Sequence, residues 1–261
     1  MENFLLGGVF KETWNLFRKN VLFILSAIFL SCPIFNRITL LLDYQYSSQE
    51  LAAFFQIFVL LAMAAFIFGW LKIFLDLAFT GKSAYSRFLP LSGYARFIIG
   101  TLAPFIVVYA GIFFLSIAVG AGFSWVVQYF NLRSDFISPL VVLAVELLLA
   151  SPLLLFFFVT IHENISFFDG FKRSYQLASI DYKTVVFIGS VWYVNRFFNK
   201  IIIPKIELWF FQTYHDSIFI FLYGIGYLFY AIFIYQVLGL LVAVLYKKLM
   251  ELQNERESSI Y

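Results

Sequence analysis

The sequence predicts an all-α, polytopic membrane protein. It has six transmembrane helices, interfacial amphipathic helices and three helix-hairpin repeats, and three observations carry that prediction. Of its 261 residues, 62% are apolar, 22% aromatic and only 13% charged, with 36 phenylalanines. A soluble domain carries roughly 25% charged residues and cannot hide this much apolar surface. The mean hydropathy is +0.89, and its peaks fall in runs of about 20 apolar residues, the length a helix needs to cross the hydrocarbon core. The Lys and Arg residues fall at the ends of those runs, which is how a membrane chain sorts its cations.

By that ruler the chain is one integral membrane domain over 1–261, with spans at about 21–42, 51–79, 97–128, 138–162, 184–203 and 217–246. The second, third and sixth are long and nearly free of charge. Pro33, Asn36 and Arg37 interrupt the first. Asn195, Arg196, Asn199 and Lys200 crowd the fifth, which reads either as a tilted span with snorkelling cations or as a re-entrant segment. Pro104 and Pro152 predict kinks in the third and fourth. Ala65-x-x-x-Gly69 and Ser116-x-x-x-Gly120 are small-residue pairs that permit close helix approach. Trp125 and Trp209 fall near one interface and Trp14 near the other.

Twelve of the eighteen basic residues lie on one predicted side, in four groups of three: Lys11, Arg18, Lys19; Lys82, Arg87, Arg96; Lys172, Arg173, Lys183; and Lys247, Lys248, Arg256. Arg37, Arg133, Arg196, Lys200 and Lys205 lie on the other, and Lys72 sits within the second span. The positive-inside rule then places both termini in the cytoplasm, and an even number of spans requires the same. The net charge of +3 is too small for a nucleic-acid partner, which leaves membrane lipids as the partner the charge pattern names. A single cysteine, Cys32, excludes an intrachain disulfide framework and a Cys-based zinc cluster. The polar residues before the first apolar run, including Glu2 and Glu12, speak against a cleaved lipoprotein signal ending at Cys32.

The cytoplasmic stretches repeat. Phe10 to Arg18 and Phe88 to Arg96 keep the same register 78 residues apart, and Phe171-Lys172-Arg173 follows Phe88 by 83. In the first copy Leu6, Phe10, Trp14 and Phe17 share a face opposite Lys11, Asn15, Arg18 and Lys19. In the third, Phe167, Phe168, Phe171 and Tyr175 oppose Asp169, Lys172, Arg173 and Gln176, and Ser166 with Asp169 forms a capping box. Pro90 and Gly93 break the middle copy. Such helices lie in the headgroup plane, so Lys11, Arg18, Lys19, Lys172 and Arg173 are the candidate headgroup-facing residues. Anchoring the following span, binding an anionic headgroup and docking a cytoplasmic partner all remain open to them.

Ionisable groups inside hydrocarbon are costly and demand partners. Glu146, eight residues into the fourth span, is the clearest case. Arg37 and Arg196 share its predicted depth, so the three form a candidate intramembrane cluster, either a structural clamp or part of a solute or proton path. Lys72 and Asp76 can pair at i, i+4. Gln236 is the one strongly polar side chain deep in the sixth span, and reads as a helix–helix hydrogen bond.

Catalytic templates fail. His162-Glu163-Asn164-Ile165-Ser166 starts like a zincin helix but has Ser where the second His belongs. Gly122-Phe123-Ser124-Trp125 lacks a glycine after the serine, and Gly224-Ile225-Gly226 lacks the rest of a dinucleotide loop. The expectation is a non-enzymatic protein, with no catalytic, cofactor-binding or metal-binding residues and no cofactor.

Val9-Phe10-Lys11-Glu12-Thr13-Trp14-Asn15-Leu16-Phe17-Arg18-Lys19-Asn20 resembles the N-terminal motif of the YciC-type family of bacterial inner-membrane proteins. Glu163 with Phe171-Lys172-Arg173-Ser174-Tyr175-Gln176-Leu177 resembles that group's Glu…Lys-Arg-Ser-x-x-Leu stretch, which recurs in the membrane domain of some glycerophosphodiester phosphodiesterases. The resemblance covers nearly the whole chain in topology and implies a multi-pass protein of the bacterial cytoplasmic membrane. It supplies no catalytic residues, and no phosphodiesterase domain accompanies it here. The functional expectations are three: a collar that engages anionic lipid or a membrane partner, a small-solute transporter or channel built on Glu146, and a membrane scaffold.

Overall fold

In the computed structural model, backbone is described for residues 3–43, 49–83, 97–129, 134–197, 205–206 and 217–259. Side chains are described mainly over 5–27, 64–83, 97–125, 141–195 and 234–259, apart from Phe66, Ala103, Leu143 and Tyr235. Among these residues every element is helical and there is no strand. The order is α1 (Asn3–Asp43), α2 (Gln49–Thr80), a π turn (Ile98–Leu102), α3 (Ala103–Tyr129), α4 (Ser134–Ala150), a 3-10 turn (Ser151–Leu154), α5 (Phe156–Glu163), α6 (Phe167–Ile180), α7 (Tyr182–Phe197) and α8 (Ser217–Ser258). Two stretches, Ile98–Trp125 and Ala144–Glu163, are long and apolar enough to cross a membrane.

α8 is the central post. It packs against α1, α2 and α6, and every residue from Leu240 to Tyr246 is buried, as expected of a helix that is apolar all round. Ile73, Phe74 and Leu77 of α2, Leu155, Phe158 and Val159 near the start of α5, and Leu177 of α6 complete the core around it. α3 lies outside this post against α4. Its outward face carries Ile106, Val107, Phe114 and Trp125 in the open, while Ser116 and Gly120 turn inward. The small-residue pair is therefore the strip through which α3 approaches the protein, and the rest of its apolar surface suits lipid.

Local chemistry explains the element ends. α1 is one continuous helix except at Asn20, whose backbone (φ −112°, ψ 15°) leaves the helical region. Its side-chain amide donates to Leu16 O at 3.0 Å and to Gly81 O at 3.3 Å, so the bend is pinned to the end of α2. Gly81 adopts φ +73° and returns its N–H to Leu77 O at 3.0 Å, the left-handed cap that only glycine takes without strain. Ahead of α3, Pro104 offers no N–H to Gly100 O, and the chain takes the wider π register there.

The fourth predicted span is not one helix. Pro152 breaks it, and a 3-10 turn separates α4 from α5. The missing Pro152 N–H frees Leu148 O, which accepts from the Tyr182 hydroxyl at 2.6 Å, and Leu149 O accepts from Tyr175 at 2.5 Å. Hydroxyls from the neighbouring segment thus replace the lost ladder, the condition under which broken backbone is tolerated in an apolar setting. Asn164, at φ 54°, reverses the chain after α5. Ser166 then caps α6: its hydroxyl accepts from Asp169 N at 3.3 Å and donates to the Asp169 carboxylate at 2.6 Å. Asp181 caps α7 through Thr184, whose backbone N–H and hydroxyl both donate to its carboxylate. α7 is 16 residues long and starts two residues earlier than the predicted fifth span. Beyond Phe197 that span lies outside the described residues, as does the middle copy of the basic block.

Candidate functional site

Two places gather polar chemistry, one where the chain ends meet and one in the bundle interior. At the first, Glu12 on α1 receives Lys247 at 2.7 Å and Lys248 at 3.1 Å, and Lys248 also reaches Glu251 at 3.0 Å. This clasp fastens the first helical stretch to the last. Burial opposes ionising Glu12, but the two ammonium partners outweigh it and hold the carboxyl below its ordinary range. Burial likewise works against the Lys248 ammonium, yet Glu251 and Glu12 raise it above its ordinary value.

The sign of the linkage follows from those directions. The Glu12 contribution is complete above about pH 4.3, where the unfolded chain's carboxyl is ionised, and is lost as pH falls through the lower folded value. The Lys248 contribution is complete below about pH 10.4 and is lost as pH rises through its raised folded value. Thermal unfolding of the detergent-solubilised protein should therefore steepen its decline between about pH 5 and 3 in wild type and flatten in Glu12→Gln. Parallel curves would exclude the clasp as a source of acid sensitivity.

Beside the clasp lies a groove of about 400 Å³ bordered by Gly8, Lys11, Glu12, Asn15, Leu16, Lys19 and Lys248. Lys11, Asn15, Arg18 and Lys19 are exposed. The faces of this helix differ from the sequence expectation. Val9, Thr13 and Phe17 turn into the core, whereas Phe10 and Trp14 stand outside, Trp14 with 58% of its surface open. Phe10 and Trp14 therefore flank the cationic strip instead of opposing it, and of the three aromatic residues expected on the apolar face only Phe17 is buried.

On α6 Lys172 is exposed, while Arg173 is partly buried and its Nε meets Glu163 Oε1 at 3.3 Å. Glu163 also accepts from the Tyr246 hydroxyl at 3.2 Å, and that hydroxyl lies 2.9 Å from His162 Nδ1. α6 packs its Gly170, Ser174 and Leu177 face inward against α5, which carries Arg173 to the neighbouring carboxylate. Phe167, Phe171 and Tyr175 are half-buried, and Phe168 stands apart with 82% of its surface open.

In the interior, Glu146 is 7% exposed and accepts a 2.7 Å hydrogen bond from Tyr109. Tyr193 lies beside the same pair. Two tyrosines from α3 and α7 therefore meet the carboxylate, partners that charge-based reasoning missed; the three lie on different predicted spans, and nothing in their spacing reveals the meeting. The side chains of Arg37, Arg196 and Cys32 lie outside the described residues. Lys72 Nζ sits 4.9 Å from the centre of the Phe68 ring. Gln236 makes no helix–helix bond through its carbonyl: Oε1 is buried and accepts nothing among the described residues. It faces a cavity of about 480 Å³ whose wall also includes Tyr109 and Tyr193.

Among the described residues no group of three His, Cys, Asp or Glu side chains has the arrangement to hold a metal ion. Comparison with protein-family models, curated proteins and solved structures finds no match to this chain.

Proposed function

We propose that this chain is a non-enzymatic, six-span protein of the bacterial cytoplasmic membrane, of the YciC type, with both termini cytoplasmic and a basic, aromatic collar that engages anionic lipid headgroups. The observation that carries this reading is the groove where Lys11, Lys19 and Lys248 converge with Asn15, beside the open indole of Trp14. Cations with an adjacent exposed aromatic ring suit the boundary where phosphates meet acyl chains. The orientation draws support from contacts that bring Glu12, Gly81, Glu163 and Lys247 to one end of the bundle. Four of the basic groups assigned to the cytoplasm flank those residues in sequence.

Lys11 and Lys19 make no ion pair among the described residues, so their removal tests the groove while leaving the clasp intact. Each Lys near an anionic surface contributes about 1 kcal/mol, so Lys11→Ala/Lys19→Ala should weaken phosphatidylglycerol binding on the order of 30-fold at low salt. Native mass spectrometry against phosphatidylcholine reads the difference. Equal retention of the anionic lipid by wild type and variant would remove the collar from the proposal, and a lipid-independent protein copurifying through these lysines would favour a partner instead.

A second reading, a small-solute transporter or channel, draws on one feature. Glu146 is buried with Tyr109 and Tyr193, and both tyrosines border the interior cavity.

A further inference from the structure

We propose that the interior cavity is a binding site for an uncharged amphiphile, a single apolar chain that ends in an O–H or N–H group. At about 480 Å³ it falls within the roughly 300–1,000 Å³ range of small-molecule pockets. Its wall is drawn from α2, α3, α4, α5, α7 and α8, together with the 3-10 turn, and among the described residues no Asp, Glu, Lys or Arg belongs to it. Phe74, Phe105, Leu153 and Val242 give it an apolar body. Gly239 lets the Phe74 ring lie directly against α8, since a Cβ there would run into the ring.

An apolar wall without a countercharge rejects ions, because an unpaired charge there loses its hydration with nothing in return. It does not reject a chain of methylenes, each of which gains on leaving water. The polar groups on the wall set the other end of the ligand. The Tyr109 hydroxyl already gives its proton to Glu146, and Gln236 Oε1 is a buried acceptor with no donor among the described residues. A buried acceptor left unmet is costly, and native proteins rarely retain one without use. Trp70 and Trp192 bring indole N–H donors to the same wall, so the unmet need is a donor at Gln236 Oε1 itself, which a ligand O–H or N–H supplies while a hydroxyl oxygen remains free to accept. This inference is independent of the lysine groove and stands or falls separately from it.

The test uses the full chain in detergent micelles with a diazirine-bearing hexadecanol, and its methyl ether as the probe without a donor. Cross-links are expected on 150–158 and 236–242, suppressed by excess unlabelled hexadecanol. Ala150 borders the cavity and is buried, so Ala150→Phe fills it and should lower labelling on the order of tenfold. Wild type should prefer the alcohol over the ether by about fivefold, the equivalent of one net hydrogen bond, and Gln236→Leu should abolish that preference while still taking up the ether. The Leu variant exchanges an unmet acceptor for an apolar group of similar size, so it remains informative if Ala150→Phe does not fold. Labelling that competitor does not reduce, cross-links spread over Ile106 and Phe114 on the outer face, or an alcohol preference that survives in Gln236→Leu would each overturn the proposal.

Discussion

Gly170→Ala should destabilise this protein despite the better helix propensity of alanine, and Thr160→Ser should restore most of the loss. Gly170 lies inside α6, where replacing Gly by Ala ordinarily gains about 1 kcal/mol. Here a Cβ would overlap Thr160 Cγ2 on α5, with Phe156 close behind. Thr160 cannot yield easily. It is buried, its β-branched side chain has few rotamers, and its hydroxyl donates to Phe156 O at 3.0 Å and Phe157 O at 3.1 Å. Overpacking of this kind costs about 1–3 kcal/mol and a larger side chain more, so Gly170→Ala should be a net loss and Gly170→Leu should fail to accumulate. Serine at 160 keeps the hydroxyl bonds and deletes only the obstructing methyl. A double-mutant cycle on thermal unfolding in detergent reads the coupling, expected on the order of 1–2 kcal/mol in favour of the pair. Additive single effects, or an alanine variant more stable than wild type, would show that α5 and α6 do not cross at this glycine.

How much of the fold was legible depends on which physical signal each feature leaves in the sequence. Composition and run length carried the helical class, and local backbone chemistry carried the Ser166 cap and the Pro152 break, because these depend on residues adjacent in sequence. The partners that make the break tolerable, Tyr175 and Tyr182, come from the next two helices and leave no local mark. The faces of the first helix show a deeper limit. In water, hydrophobicity distinguishes inside from outside, but beside a bilayer the lipid tails are as apolar as leucine. Phe10 and Trp14 are no less apolar than Val9 and Phe17, yet the first pair is exposed and the second buried; polarity alone cannot separate them. Arg173 illustrates the same limit for charge. It is adjacent to Lys172, but the roughly 100° that separates consecutive helical residues aims one at Glu163 and the other outward. Glu146 was legible as a buried group in need of partners, while the identity of Tyr109 and Tyr193 was not, since phenols in aromatic-rich spans do not stand out.

Tyr246→Ala should cost about 3–5 kcal/mol, while Tyr246→Phe costs about 1 kcal/mol, and that ratio separates packing from hydrogen bonding at the end of the bundle where the core meets the polar rim. Tyr246 is fully buried on α8, within a run of buried neighbours that includes Leu245 and Leu249. Its ring centre lies 6.0 Å from Phe79 and 5.6 Å from His162, and the His162 ring stacks on Phe79 at 4.4 Å. Truncation to alanine empties a ring-sized volume amid helices held from several sides, so little of it can close. Removing only the hydroxyl leaves that packing in place. Glu163 then keeps Arg173 at 3.3 Å, and His162 loses the partner at its Nδ1 while its edge remains open to water. For a chain of this size the alanine variant should unfold on the order of 10 °C lower and the phenylalanine variant only a few degrees lower. If the phenylalanine variant falls as far as alanine, the hydroxyl shared by Glu163 and His162 dominates and the aromatic cluster is secondary. If neither shifts by more than a degree, α8 is not the post around which α2, α5 and α6 assemble.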